Sequence, residues 1–220
     1  LLDTGDTVSD VDSFDFAGGI LHVDFESGGT ADDRLAIRNE GSGAGQVGVV
    51  GTNVTYGGVT IGTFNGGTGT NPLVVHFNSN ATASIVQAVL RTVTYENVSD
   101  DPATAPRTVH VVLSDGDGGA SNVERKTINM TAVNDAPAVA TNTGVTVAEG
   151  STGTIITTAM LNEGDPDDSG ADVTYTVTTI PANGTLYLGG TAIGANDTFT
   201  QADIDGGLIT YDHDGTQNLS

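Results

Sequence analysis

Short runs in which apolar residues alternate with Thr, His or acidic residues recur along this chain, and Gly or Asp breaks each one off. "GILHVDF" (19–25), "NVTYG" (53–57), "LVVHF" (73–77), "TVHVVL" (108–113), "KTINMTAV" (126–133), "VTYTV" (173–177) and "LITYD" (208–212) all have this form. A period of two with many β-branched residues marks strands buried on one face. Strands this short, separated this regularly by turns, build an antiparallel sandwich, so the fold class is all-β. One segment departs from the pattern. In "ATASIVQAVLRTV" (81–93), Ile85 and Val89, and Val86 and Leu90, are spaced as on one face of a short helix.

With no cysteine, neither disulfides nor thiolate metal sites can hold such a chain. No apolar run is long enough to span a bilayer. No charged-then-apolar leader opens the chain, which is expected to be mature or cut from something longer. The 220 residues suffice for one or two domains. A weak internal repeat favours two, because "TASIVQAVLRTVTYEN" (82–97) and "TQADIDGGLITYDH" (200–213) both end in an apolar-Thr-Tyr-acid strand after a helical turn. The expected domains are 1–135 and 136–220, joined at "NDAP". Pro137 stiffens that joint and restricts the residue before it, unlike a Gly/Ser tether.

The formal charge is −22, from 28 acidic and six basic residues, and 22 of the acids are Asp. Asp favours turns, where its short side chain bonds nearby backbone or a cation, so the charge sits in loops. Nucleic acid and anionic membranes are poor partners for this surface, since binding them needs Lys and Arg. Cations are good ones, and the plainer reading is that the charge keeps the protein soluble.

The acids cluster in "SDVDS" (9–13), "YENVSDD" (95–101), "LSDGDGG" (113–119), "VND" (133–135), "GDPDDSG" (164–170) and "YDHDG" (211–215). Carboxylates two positions apart in a loop converge on one hard cation, and Ca²⁺, which takes six to eight oxygens, fits better than Mg²⁺, which keeps its waters. An EF-hand fails, because the twelfth position of the loop from Asp165 is Thr176, and of the loop from Asp115 is Lys126, where a bidentate Glu is needed. His22, His76, His110 and His213 are scattered, and the first three lie in strands as packing or surface residues, so no zinc site is expected. Catalysis is not expected either. A glycosidase needs two carboxylates held across a cleft, one of them in an apolar setting, and no G-x-S-x-G motif occurs. Seven N-x-S/T sequons, Asn53 and Asn97 among them, arise readily in a Thr-rich chain. A sugar-stacking platform has little to draw on, with 11 aromatics and no Trp.

These residues carry a family resemblance. "AVNDAPAV" resembles the linker of cadherin repeats, "GDPDDSGADVTYTV" their Asp-x-Asp loop, and "VAEGSTGT" the Glu near the end of their first strand. "FTQADIDGGLITYDHDGT" is similar to the signature of the chondroitin sulphate proteoglycan repeat, a cadherin-like relative. "SDVDSFDFAGGILHVDF", "ADDRLAIRNEGSGAGQVGV" and "APRTVHVVLSDGDGGASN" resemble the tandem cadherin-like repeats of large bacterial surface proteins and adhesins. The resemblance implies two tandem Ig-like Greek-key sandwiches, each with a short helical turn, with Ca²⁺ at the domain ends. Carried over by position, it implies Asp135, the backbone oxygen of Asn134, Asp165 and Asp167 at the joint, with Glu96 or one of Asp100 and Asp101. It implies Asp10, Asp12 and Asp115, with Asp117, at one further pole, and Glu149, Asp212 and Asp214 at another. Ala132 and Ala136 stand where the fuller linker motif has Asp and Asn, which implies fewer ions per joint.

The same resemblance implies that domain one lacks its first strand and domain two its last hairpin, as in a window from a longer array. The function implied is a calcium-stiffened, non-enzymatic stalk segment of a secreted or cell-surface adhesin, with neighbouring repeats as partners. The alternatives are a module that binds glycan or protein, or a subunit that self-associates into filaments.

Overall fold

The alternating runs become strands β1 (Ile20–Ser27), β2 (Asp33–Ile37), β3 (Val47–Val50), β4 (Asn53–Tyr56), β5 (Val59–Gly66), β6 (Leu73–Phe77), β7 (Val93–Asn97), β8 (Arg107–Ser114) and β9 (Glu124–Ile128), with helix α1 (Ala83–Leu90) before β7. They belong to the first of two units, residues 1–132 and 133–220, in a computed structural model that describes residues 1–2, 5–11 and 14–216. The division falls just ahead of the break expected after 135.

Seven strands form one antiparallel sheet in the order β3-β4-β5-β6-β1-β8-β9, and β2 pairs separately with β7. In β1, Leu21 and Val23 are fully buried while the alternate residues His22 and Asp24 are not, so the period of two assigns an inner and an outer face. Leu73, Val75 and Val109 of the neighbouring strands join the inner face. It shares one core with Leu35 and Ile37 of β2, Val93 of β7, and Val86 and Val89 of α1. In α1 the buried pair is thus Val86 with Val89, while Ile85 and Leu90 are half-buried flanks. A helix of just over two turns has room for one contact row, and the two flanks split what was expected to be shared between two pairs. Gly66 closes β5 with φ 78°, and a Cβ there would meet the Pro72 carbonyl oxygen at 1.8 Å.

The second unit is built from shorter strands: β10 (Val139–Asn142), β11 (Thr154–Ile155), β12 (Leu161–Glu163), β13 (Thr174–Thr176), β14 (Gly184–Leu188), β15 (Thr191–Ile193), β16 (Thr198–Thr200) and β17 (Ile209–His213), with helix α2 (Gln201–Asp205) before β17. They pair as β11-β17-β14-β15, β10-β12 and β13-β16. The small core holds Val177, Phe199, Ile204 and Ile209, and Tyr175 stacks on Phe199 at 5.2 Å between ring centroids. Thr200 caps α2 through a reciprocal box with Asp203, whose side chain in turn accepts from the Thr200 N–H.

Each unit therefore has its short helix, and the class is the antiparallel all-β sandwich that the alternation predicts. Two runs are shorter than their patterns. "KTINMTAV" stays in the sheet only to Ile128, and "VTYTV" only from Thr174 to Thr176. Beyond Ile128 the alternation continues with no strand to pair with, and alternation alone does not create a ladder.

Candidate cation-binding loops

The loop after β12 concentrates the acids of the second unit. The Asp165 N–H donates to Glu163 Oε2 at 2.7 Å, and Asp165 Oδ1 accepts from the N–H groups of Asp167 and Asp168 at 3.0 Å each. Asp167 Oδ2 accepts the N–H of Asp135, and the Asn134 side chain donates to the Asp135 carbonyl. The linker is thereby tied to the Asp-x-Asp loop through Asp135. Asp167 Oδ1 is buried and accepts no hydrogen bond. A buried carboxylate oxygen without a donor is costly, and its natural partner is a cation.

No such cation comes from the unit itself. All six Lys and Arg residues lie in the first unit, and the second carries twelve carboxylate side chains with His213 as its only ionisable base. Hard oxygens with no internal counter-charge are the donor set that Ca²⁺ takes. Glu163, just ahead of the acid cluster read from the sequence at 164–170, joins Asp135, Asp165 and Asp167 as a residue able to contribute. Burial, then the charges of Glu163 and Asp205, push the nearby Tyr175 hydroxyl above its ordinary range, which marks the local field as negative. Among the described residues, no three His, Asp or Glu side chains are already arranged to hold a metal ion.

The other predicted residues fall into three places. Asp10 and Asp115 line one cleft of about 240 Å³. Asp12 lies outside the described residues. The Asp115 carboxylate also serves its own turn, accepting the N–H groups of Asp117, Gly118 and Gly119 at 2.8–3.1 Å, with Asp117 exposed beside it. Pairing of β11 with β17 brings the turn of Glu149 beside Asp212 and Asp214: the His213 N–H bonds to the Ser151 carbonyl, and Asp212 Oδ1 accepts from Gly153 at 2.6 Å. Asp214 is held below its usual range by the Thr216 hydroxyl at 2.6 Å and the Thr216 N–H, a purely local turn. In the first unit Glu96 is exposed on β7 opposite Arg34, and Asp100 and Asp101 are exposed in the following loop, where Ser99 Oγ donates to the Asp101 carbonyl.

The first unit has a polar centre that the sequence motifs did not point to. Asp33 and Arg107 are fully buried and paired at 3.3 Å. Asp33 also accepts from the Tyr95 hydroxyl at 2.6 Å, the Asn97 amide at 2.7 Å, and the Thr30 N–H and hydroxyl at 2.7 and 3.1 Å. Burial opposes its ionisation, but those hydrogen bonds outweigh it and bring the carboxyl down to about 2. Burial and the bond to Asp33 push the Tyr95 hydroxyl up to about 12. Arg107 Nη1 holds the carbonyls of Ala103 and Ala105, while Nη2 is buried with no hydrogen-bond partner. The signal was in the alternation itself, because Arg107 shares the inward face of Val109 and Val111, and Asp33 that of Leu35 and Ile37.

A family model described as cadherin-like matches residues 137–220. Human chondroitin sulfate proteoglycan 4 is 40% identical over 91 residues, which cover 41% of this chain and 4% of that protein. Extracellular matrix protein 3 of Lytechinus variegatus is 32% identical over 121 residues, 54% of this chain and 4% of its own. Human FRAS1-related extracellular matrix protein 1 is 34% identical over 79 residues, 36% of this chain and again 4% of its own. The chain thus spans about 4% of the length of these relatives. No solved structure matches. Among the described residues no helix is long and apolar enough to cross a membrane. Over residues 137–220, the chain is thus similar to a cadherin-like repeat.

Proposed function

We propose that this chain is a non-enzymatic structural segment of an extracellular or cell-surface protein of adhesive type, and that Ca²⁺ stiffens it. The reading rests on one observation: the N–H of linker residue Asp135 is hydrogen-bonded to Asp167 of the Asp165–Asp167 loop, where a buried carboxylate oxygen has no donor and no Lys or Arg of the unit balances the charge. Ca²⁺ would be held by Asp135, Asp165, Asp167 and Glu163, with backbone oxygens and water completing its shell. The ion turns repulsion among these carboxylates into a clamp of the linker on the second unit, and the connection loses freedom. The matrix proteins that share the repeat support an extracellular setting, where calcium is millimolar. The adhesin role extends the same reading to the first unit, through its likeness to repeats of bacterial surface proteins.

At 2 mM Ca²⁺ and the Kd of roughly 10⁻⁴–10⁻³ M usual for extracellular modules, each site adds about 0.6–1.8 kcal/mol to the folded state. For a unit of this size that raises the melting temperature by about 3–14 °C. Thermal melts in chelator, Ca²⁺ and Mg²⁺ test this, together with the Asp165→Asn, Asp167→Asn double variant. A rise for Ca²⁺ alone that the variant loses is the expected result. The absence of any shift would reduce the loop to an ordinary turn.

A further inference from the structure

The four histidines are scattered in sequence, yet the first unit brings two of them to one carboxylate. The alternation that buries Leu21 and Val23 turns His22 and Asp24 to the outer face of β1. The register with β8 sets His110 directly opposite Asp24. His110 Nδ1 lies 2.7 Å from Asp24 Oδ1, and His22 Nδ1 lies 3.6 Å from the same oxygen. These side chains are 26–40% exposed, open to solvent yet partly held by the sheet. The calcium reading has no use for them, since Ca²⁺ selects oxygen ligands.

We propose that His22, Asp24 and His110 form a binding site for a divalent transition-metal ion of the Zn²⁺, Ni²⁺ or Cu²⁺ class. Two imidazoles and a carboxylate are the donor set such ions prefer over Ca²⁺. With Zn–N and Zn–O bonds near 2.0–2.2 Å, donors around a tetrahedral ion stand about 3.3–3.5 Å apart. The 3.6 Å contact is already close to that. The 2.7 Å contact is a hydrogen bond, in which a proton holds the place an ion would take. The three donors do not surround a common centre as they stand. Closing them on an ion requires these outer-face side chains to rotate. Three ligands leave a coordination position for water or a fourth group, and the acidic surface raises the local concentration of any divalent cation.

The test is calorimetric titration of the full chain with Zn²⁺ in millimolar Ca²⁺, so that the carboxylate loops are occupied, repeated with Co²⁺ to record the visible absorption of its ligand field. One Zn²⁺ site per chain is expected, weakened roughly 10–100-fold by His22→Ala, by His110→Ala and by Asp24→Asn. Metal-free melting should stay near wild type in these variants, because all three side chains face outward. Zn²⁺ binding that persists unchanged in both histidine variants, or no Zn²⁺ site at all once Ca²⁺ is present, overturns the proposal. Loss of the Ca²⁺ effect in the Asp165, Asp167 variant has no bearing on this site, so the two readings fail separately.

Discussion

Replacing Asp33 with Asn removes the charge on which the polar centre of the first unit converges. In the native protein that carboxylate accepts five hydrogen bonds from Thr30, Tyr95, Asn97 and Arg107, and it has no exposed surface. The variant leaves the Arg107 guanidinium buried without a counter-charge, which costs about 3–5 kcal/mol. An independent figure comes from ionisation: lowering the carboxyl from 3.8 to about 2 corresponds to about 2–3 kcal/mol favouring the folded state at neutral pH. Because the folded value is the lower one, this contribution is complete above pH 4 and is lost as pH falls from about 4 towards 2. Denaturant unfolding in chelator at pH 7, and at intervals down to pH 2, measures both. Hydrogen exchange at the amides of β1 and β8 keeps the first unit's transition apart from the second's. Asp33→Asn should lose 3–5 kcal/mol at pH 7, and its deficit should shrink by 2–3 kcal/mol in acid, where the native carboxylate is itself protonated. Adding Arg107→Met should recover most of the loss, since it removes the buried guanidinium that Asp33→Asn leaves without a counter-charge. A loss below 1 kcal/mol, or a deficit that does not change with pH, would refute the account.

Two further substitutions probe local geometry. Thr200→Ala removes the cap of α2 and should destabilise the second unit by about 1 kcal/mol, visible in its melt while β1 exchange is unchanged. Gly66→Ala forces a Cβ against the Pro72 carbonyl at a positive φ, and should cost the first unit at least about 1–3 kcal/mol in denaturant unfolding.

Alternation made the inner face of β1, β6 and β8 legible, because each fully buried residue there sits two places from the next. It was less informative in the second unit, where strands such as Thr154–Ile155 and Thr191–Ile193 are too short to show any period. The loops rich in Asp were legible as turns, in which the Asp135 N–H bonds to Asp167 and the Asp167 N–H to Asp165. Glu163 was not legible, because its side chain turns into the loop from the end of β12. The Asp33–Arg107 pair and the His22–Asp24–His110 group were also out of reach, for a common reason. Each joins strands far apart in sequence, and which residues face one another depends on register, which a single strand's pattern does not contain.

The confinement of every Lys and Arg to the first unit also decides how the chain can be dissected. Trypsin cuts beside basic residues, and the last one is Lys126, so the protease has no bond to attack in the second unit whether it is folded or not. Amine-directed cross-linkers likewise find no lysine there. Digestion should therefore release the second unit with its linker as a single piece, and that piece is suited to cation titration free of the first unit's own acids.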